Sequence, residues 1–231
     1  MVAKRWRQPE LLPPLSTASR TRRIPPLKLE AKLTVPNGAS VLIVFGHGRG
    51  SGHVSPRNRS LACALNAHGM ATLLFDLLTP VEGESLEAVF DIALLRDRLA
   101  TVLQWLKGED ELVGLPVGLF GAGPEAAAAM MIAARPDAGI FAIVSRGGRP
   151  DLAGESLERL AVPVLLLVGA RDPAALKLNE EALACLRGPK QLKVIPGAGQ
   201  CFEEPESLEE EAACTVGWFE DYSPVRTRGR L

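Results

Sequence analysis

The sequence predicts an α/β fold, a doubly wound and mostly parallel β-sheet flanked by helices. Three kinds of observation predict it. Short apolar runs (Val41–Phe45, Ala71–Phe75, Val117–Phe120, Ile140–Val144 and Val162–Val168) have the continuous hydrophobicity of strands buried on both faces. Helical stretches separate these runs, and parallel neighbours need such crossovers. Between Leu115 and Met130 the chain reads LPVGLFGAGPEAAAAM, an apolar strand that meets a Gly/Pro turn and then an alanine-rich helix.

The elements follow in order. Residues 1–28 carry Lys4, Arg5, Arg7, Arg20, Arg22, Arg23 and Lys28 against Glu10 alone, a net +6 that leaves the rest of the chain acidic. Pro9, Pro13, Pro14, Pro25 and Pro26 exclude a helix of any length there. This stretch reads as a basic, Pro-rich arm. It is either a loosely packed extension or a docking segment for an acidic protein partner, with RNA as a weaker alternative and an organellar transit segment as a third reading. Leu27 to Val35 alternates as a half-buried edge strand should, and Pro36-Asn37-Gly38 is a turn. Val41–Phe45 ends in a glycine-rich loop with His47, Gly48, Arg49, Ser51 and His53. A helix from about Arg59 follows, with Gly69 as its left-handed cap, then the strand Ala71–Phe75.

Between Phe90 and Leu106, the residues Ile92, Leu95, Leu99, Val102, Leu103 and Leu106 share one helical face. Asp172 is the N-cap of a helix over Pro173–Arg187, and Pro173 suits its first position. Gln191–Ile195 is a last strand. Ser207-Leu208-Glu209-Glu210 reads as a capping box that opens a final helix to about Tyr222, on which Trp218 and Phe219 face the core. The domain spans 29–222, and 223–231, with Arg226, Arg228 and Arg230, is a basic tail.

Composition excludes several classes. Of 231 residues, 47% are hydrophobic and 23% charged, and the net charge is −1, an ordinary globular balance that argues for neither nucleic acid nor a membrane surface. No apolar run approaches the roughly 18 residues of a membrane span. Cys63, Cys185, Cys201 and Cys214 form no C-x-x-C pair, and the three histidines have no ligand-like spacing, so no metal and no cofactor is expected. Thiols without a secretory leader suit the cytoplasm or another reducing compartment.

The chemistry should sit beyond the carboxyl ends of the strands, in loops 46–57, 121–125, 145–151, 170–173 and 196–204. Gly121-Ala122-Gly123-Pro124-Glu125 has the strand–turn–helix grammar of a nucleophile elbow, G-x-S-x-G, but with glycine in the serine position. Gly46 to Asn58, Ala71 to Pro80, Ser145 to Leu152 and Gly197 to Pro205 resemble the dienelactone hydrolase-like branch of the α/β-hydrolases, and the likeness runs from about Leu27 to Tyr222. That resemblance implies a triad of nucleophile, acid and histidine at Gly123, Asp172 and Gln200, of which only the acid is present. It places His47 and Gly48 on the oxyanion side, with Pro124, which has no N–H, where a donor belongs.

A glutamine amide cannot carry the proton that the histidine of such a triad transfers. The expectation is a catalytically degenerate hydrolase that serves as a binding or scaffold subunit, attached through residues 1–28 and the tail. Two alternatives stay open: an active esterase or lactonase with a relocated nucleophile, for which Cys201 is the first candidate and a Ser/His pair on the His47–Ser55 loop the second, and a small-ligand-binding module. Asp172 is accounted for by its cap. Arg49 and Glu125 are expected either to pair across the cleft and close it or to stand as solvated surface charges. Arg57, Arg146 and Arg149 are expected to brace loops through backbone carbonyls.

Overall fold

The computed structural model describes residues 17–48, 55–200 and 202–225. In chain order the elements are β1 (Thr17–Ile24), β2 (Leu29–Pro36), β3 (Val41–His47), α1 (Pro56–Ala67), β4 (Met70–Asp76), α2 (Leu86–Val89) and α3 (Ile92–Leu106). Then come β5 (Val117–Ala122), α4 (Pro124–Ala133), β6 (Ile140–Arg146), α5 (Ser156–Arg159), β7 (Val164–Gly169), α6 (Pro173–Cys185), β8 (Lys190–Ile195) and α7 (Pro205–Tyr222).

The strands form one sheet in the order β1-β2-β4-β3-β5-β6-β7-β8. The β1–β2 and β2–β4 pairs are antiparallel and the other pairs, from β4 to β8, are parallel. Successive residues of β3 feed opposite faces. Leu42 and Val44 join the core under α3 and α4, whereas Val41, Ile43 and Phe45 join the core under α1 and α7. Trp218 and Phe219 lie in this second core, as expected from the sequence. No helix among the described residues is long and apolar enough to cross a membrane.

Two boundaries differ from expectation. The basic arm expected over residues 1–28 includes β1, so the sheet begins at Thr17 rather than Leu29. The prolines bar a helix, but none falls between Pro14 and Pro25, and an antiparallel edge strand needs only backbone pairing and tolerates exposed polar side chains. Three of the arm's cations also meet acids of the same chain: Arg20 and Arg22 reach Glu111 at 3.2 and 2.9 Å, and Arg23 reaches Glu30 at 3.6 Å.

The second difference is at α7, which begins at Pro205, so Ser207 is buried within the helix instead of capping it. Proline is at home at a first helical position, and Glu210 turns to Lys193 at 2.6 Å instead of closing a capping box. The cap predicted for α6 forms, with Asp172 accepting from the Ala175 N–H at 3.0 Å. Gly69 has φ +73°, the left-handed conformation expected after α1.

Candidate functional site

The carboxyl ends of the six parallel strands β3 to β8 lie at one end of the sheet, and the turn between β5 and α4 lies among them. Gly123 occupies this turn with φ +58° and ψ −136°, a conformation strained for any residue with a side chain. The strand and the helix behind it approach so closely that a Cβ on Gly121 would lie 2.7 Å from the Ala126 Cα. The elbow backbone is therefore built, yet Gly123 supplies no side-chain atom and Pro124, the first residue of α4, supplies no N–H. The following loop is tied to the elbow by the Arg149 N–H, which donates to the Gly123 carbonyl at 2.9 Å. Asn179 on α6 holds the same loop from below, donating to the Gly148 carbonyl at 3.1 Å.

Glu125, the second residue of α4, turns its side chain back into the elbow and is 8% exposed. A Cβ on Gly48 would overlap its Oε1, and a Cβ on Gly123 would stand 3.3 Å from its Oε2. Burial raises the Glu125 carboxyl from its ordinary 4.5 to about 7, against the opposing pull of its own backbone N–H, the Gly48 N–H and the Arg146 charge. The reading of Glu125 as a solvated surface charge is thus overturned: its carboxyl is buried against Gly48 and Gly123. Arg49, its expected partner, lies outside the described residues, as do Ser51, His53 and Cys201.

The remaining candidate residues do not converge on a proton relay. His47 ends β3, 8% exposed, with its ring against those of Phe45 and Phe120 at centroid distances of 6.1 and 6.4 Å. Burial, reinforced by Arg146, lowers its pKa to about 3, so the imidazole is neutral throughout the physiological range. Asp172 is half-buried and caps α6. Gln200 is exposed, and its carbonyl packs against Gly147. Burial raises the Cys214 thiol to about 11, the reverse of an activated nucleophile. No group of His, Cys, Asp and Glu able to hold a metal ion is present among the described residues.

Arg146 and Arg149 act differently from expectation. Arg146, buried at the end of β6, donates to Glu211 Oε1 at 2.9 Å and to Asn58 Oδ1 at 3.1 Å, with its guanidinium 5.2 Å from the Phe120 ring centroid. It therefore joins α1 and α7 beneath the site by a buried ion pair and a hydrogen bond to the Asn58 side-chain amide instead of bracing backbone carbonyls. Arg149 makes a two-pronged pair with Asp151, at 2.9 and 2.7 Å, and lies over Phe90. Sequence reasoning missed Glu211. It lies in the run Glu209-Glu210-Glu211, where only the helical phase relative to Trp218 and Phe219 marks it as inward-facing.

Strand order, the elbow between the fifth strand and its helix, and the site at the strands' carboxyl ends define an α/β-hydrolase. Among solved structures, dienelactone hydrolase from Anabaena variabilis is similar, with a TM-score of 0.82 and 40% identity over 91% of this chain and 99% of that one. The chain belongs to the dienelactone hydrolase branch of that superfamily. The Est1E structure from Butyrivibrio proteoclasticus, at 16% identity and a TM-score of 0.73 over 88% of this chain and 98% of that one, shares the fold. Two Mycobacterium tuberculosis proteins, each named "Putative phosphoribosyl transferase", are 49% identical over 197 residues. That stretch is 85% of this chain and 44% of theirs, so the chain spans less than half the length of these curated relatives. No family model matches the chain.

Proposed function

We propose that this domain is a non-hydrolytic member of its family, a catalytically degenerate hydrolase that works as a binding or scaffold subunit. One observation carries the reading: the elbow retains its strained backbone at Gly123 but presents neither a nucleophilic atom nor, at Pro124, the N–H that would face a developing oxyanion. The neighbouring groups do not replace them. His47 is held neutral, Asp172 is engaged in its cap, and Gln200 has no proton to exchange in the required range. Attachment to a partner falls to the basic segments 1–16 and 226–231, because Arg20, Arg22 and Arg23 are engaged within the domain. In the mycobacterial relatives, transferase chemistry of the kind their name states would belong to the length outside the match, with this domain as its companion.

The 40% identity to a dienelactone hydrolase favours a second reading, a hydrolase of small esters or lactones whose nucleophile has moved to Cys201. Short-chain ester turnover separates the two. The native protein is expected to be silent, and a Gly123→Ser/Pro124→Thr/Glu125→Gly/Gln200→His variant is expected to gain activity; Glu125→Gly is included because the carboxyl stands beside the restored side chain. Turnover by the native protein that is lost with Cys201→Ala would overturn the proposal. Deletion of residues 1–16 is expected to abolish partner binding while leaving the fold intact, and unchanged co-purification would count against the attachment role.

A further inference from the structure

We infer that the space between Gly48 and Gly123 is a carboxyl-binding pocket which Glu125 fills as a tethered internal ligand, and that a small carboxylic acid is the ligand able to take its place. This rests on the reading of the cleft as non-hydrolytic. Two backbone N–H groups from different elements converge on the side chain: Gly48, at the end of β3, and Glu125 itself, in the first turn of α4. The absence of side chains on Gly48 and Gly123 makes room for the group, and Glu125 is 8% exposed within it. The cradle is thus a built receptor with its occupant attached, rather than the bare end of a helix.

Among the described residues, the ionisable group whose charge acts on it is Arg146 from β6, which favours the anion. Burial outweighs both N–H bonds and the arginine, so the pocket favours the protonated acid below about pH 7. Because the occupant is tethered only a few bonds away, its effective concentration is on the order of millimolar or higher, and dilute free acids do not displace it. The contact therefore closes the native cleft to carboxylic acids, and loss of the Glu125 side chain opens it.

Thermal unfolding of the native protein, Glu125→Ala and Glu125→Gln tests this. Each is followed in sodium acetate, in acetamide as the uncharged isostere, and in sodium chloride of equal ionic strength. Acetate is expected to raise the Tm of Glu125→Ala saturably, by about 3–6 °C at tenfold excess over its Kd. The rise should shrink between about pH 5.5 and about pH 8, because the pocket takes the acid form, whereas the effect of acetamide should not change with pH. The native protein and Glu125→Gln, in which the pocket stays filled, are expected to respond no more than they do to chloride. No acetate response by Glu125→Ala, or an equal response by all three proteins, would overturn the inference. Should Glu125→Ala not fold, Glu125→Gly carries the same comparison. Ester turnover is read separately, so activity of the native protein would overturn the functional proposal without touching this result, and the converse holds.

Discussion

Glu125→Gln removes the one buried carboxyl that the elbow encloses while keeping its shape. In the folded chain this carboxyl titrates at about 7 instead of 4.5, chiefly through burial. At 1.36 kcal/mol per pH unit, that difference amounts to roughly 3 kcal/mol of folding stability. Below pH 4.5 both the folded and the unfolded chain hold the proton, and the full stability is present. As pH rises toward 7 the unfolded chain gives up its proton while the folded chain retains it, so stability falls; above the folded pKa the loss is complete. The amide has no proton to lose. Urea unfolding of both proteins across this window should therefore show the native protein losing roughly 3 kcal/mol relative to Glu125→Gln. Taking the difference between the two proteins cancels the titration of every other group. A flat difference, or one that grows in favour of the native protein with rising pH, would refute the claim that burial dominates the Glu125 environment.

Other substitutions probe the frame of the site. Arg146→Met leaves Glu211 buried and unpaired and should cost about 3–5 kcal/mol in urea unfolding, whereas Arg146→Met/Glu211→Leu should recover most of that loss. Gly123→Ala should cost about 1–3 kcal/mol from backbone strain, and Gly121→Ala should cost more, because its Cβ meets the α4 backbone, which cannot yield without separating helix from strand. Asp172→Ala should lose about 1 kcal/mol with the cap, whereas Asp172→Asn should keep most of it. If Asp172 served catalysis instead, turnover in the revertant would be its only measurable contribution and the stability of the native background would not change.

What the sequence determined by itself was local and periodic. A strand covered on both faces is apolar along most of its length, so β3, β4, β5, β6 and β7 were legible as runs, and α3 was legible from its single apolar stripe. The elbow was legible because a strand that turns sharply into a helix needs Gly121 and tolerates Gly123, whatever surrounds it. The tertiary structure alone decided the fate of the polar residues. β1 is an exposed, arginine-bearing edge whose identity depends on pairing with β2, and no apolar period announces it. Glu125 looks like any acid in the first turn of a helix until Gly48, just beyond β3, is brought against its carboxyl and the fold leaves it 8% exposed. Arg146 finds Glu211, 65 residues away, only because β6 and α7 are packed together. Hydrophobic periodicity is written along the chain, but the burial and pairing of a charge depend on distant segments, so the fold could be read from the sequence and the electrostatics of the site could not.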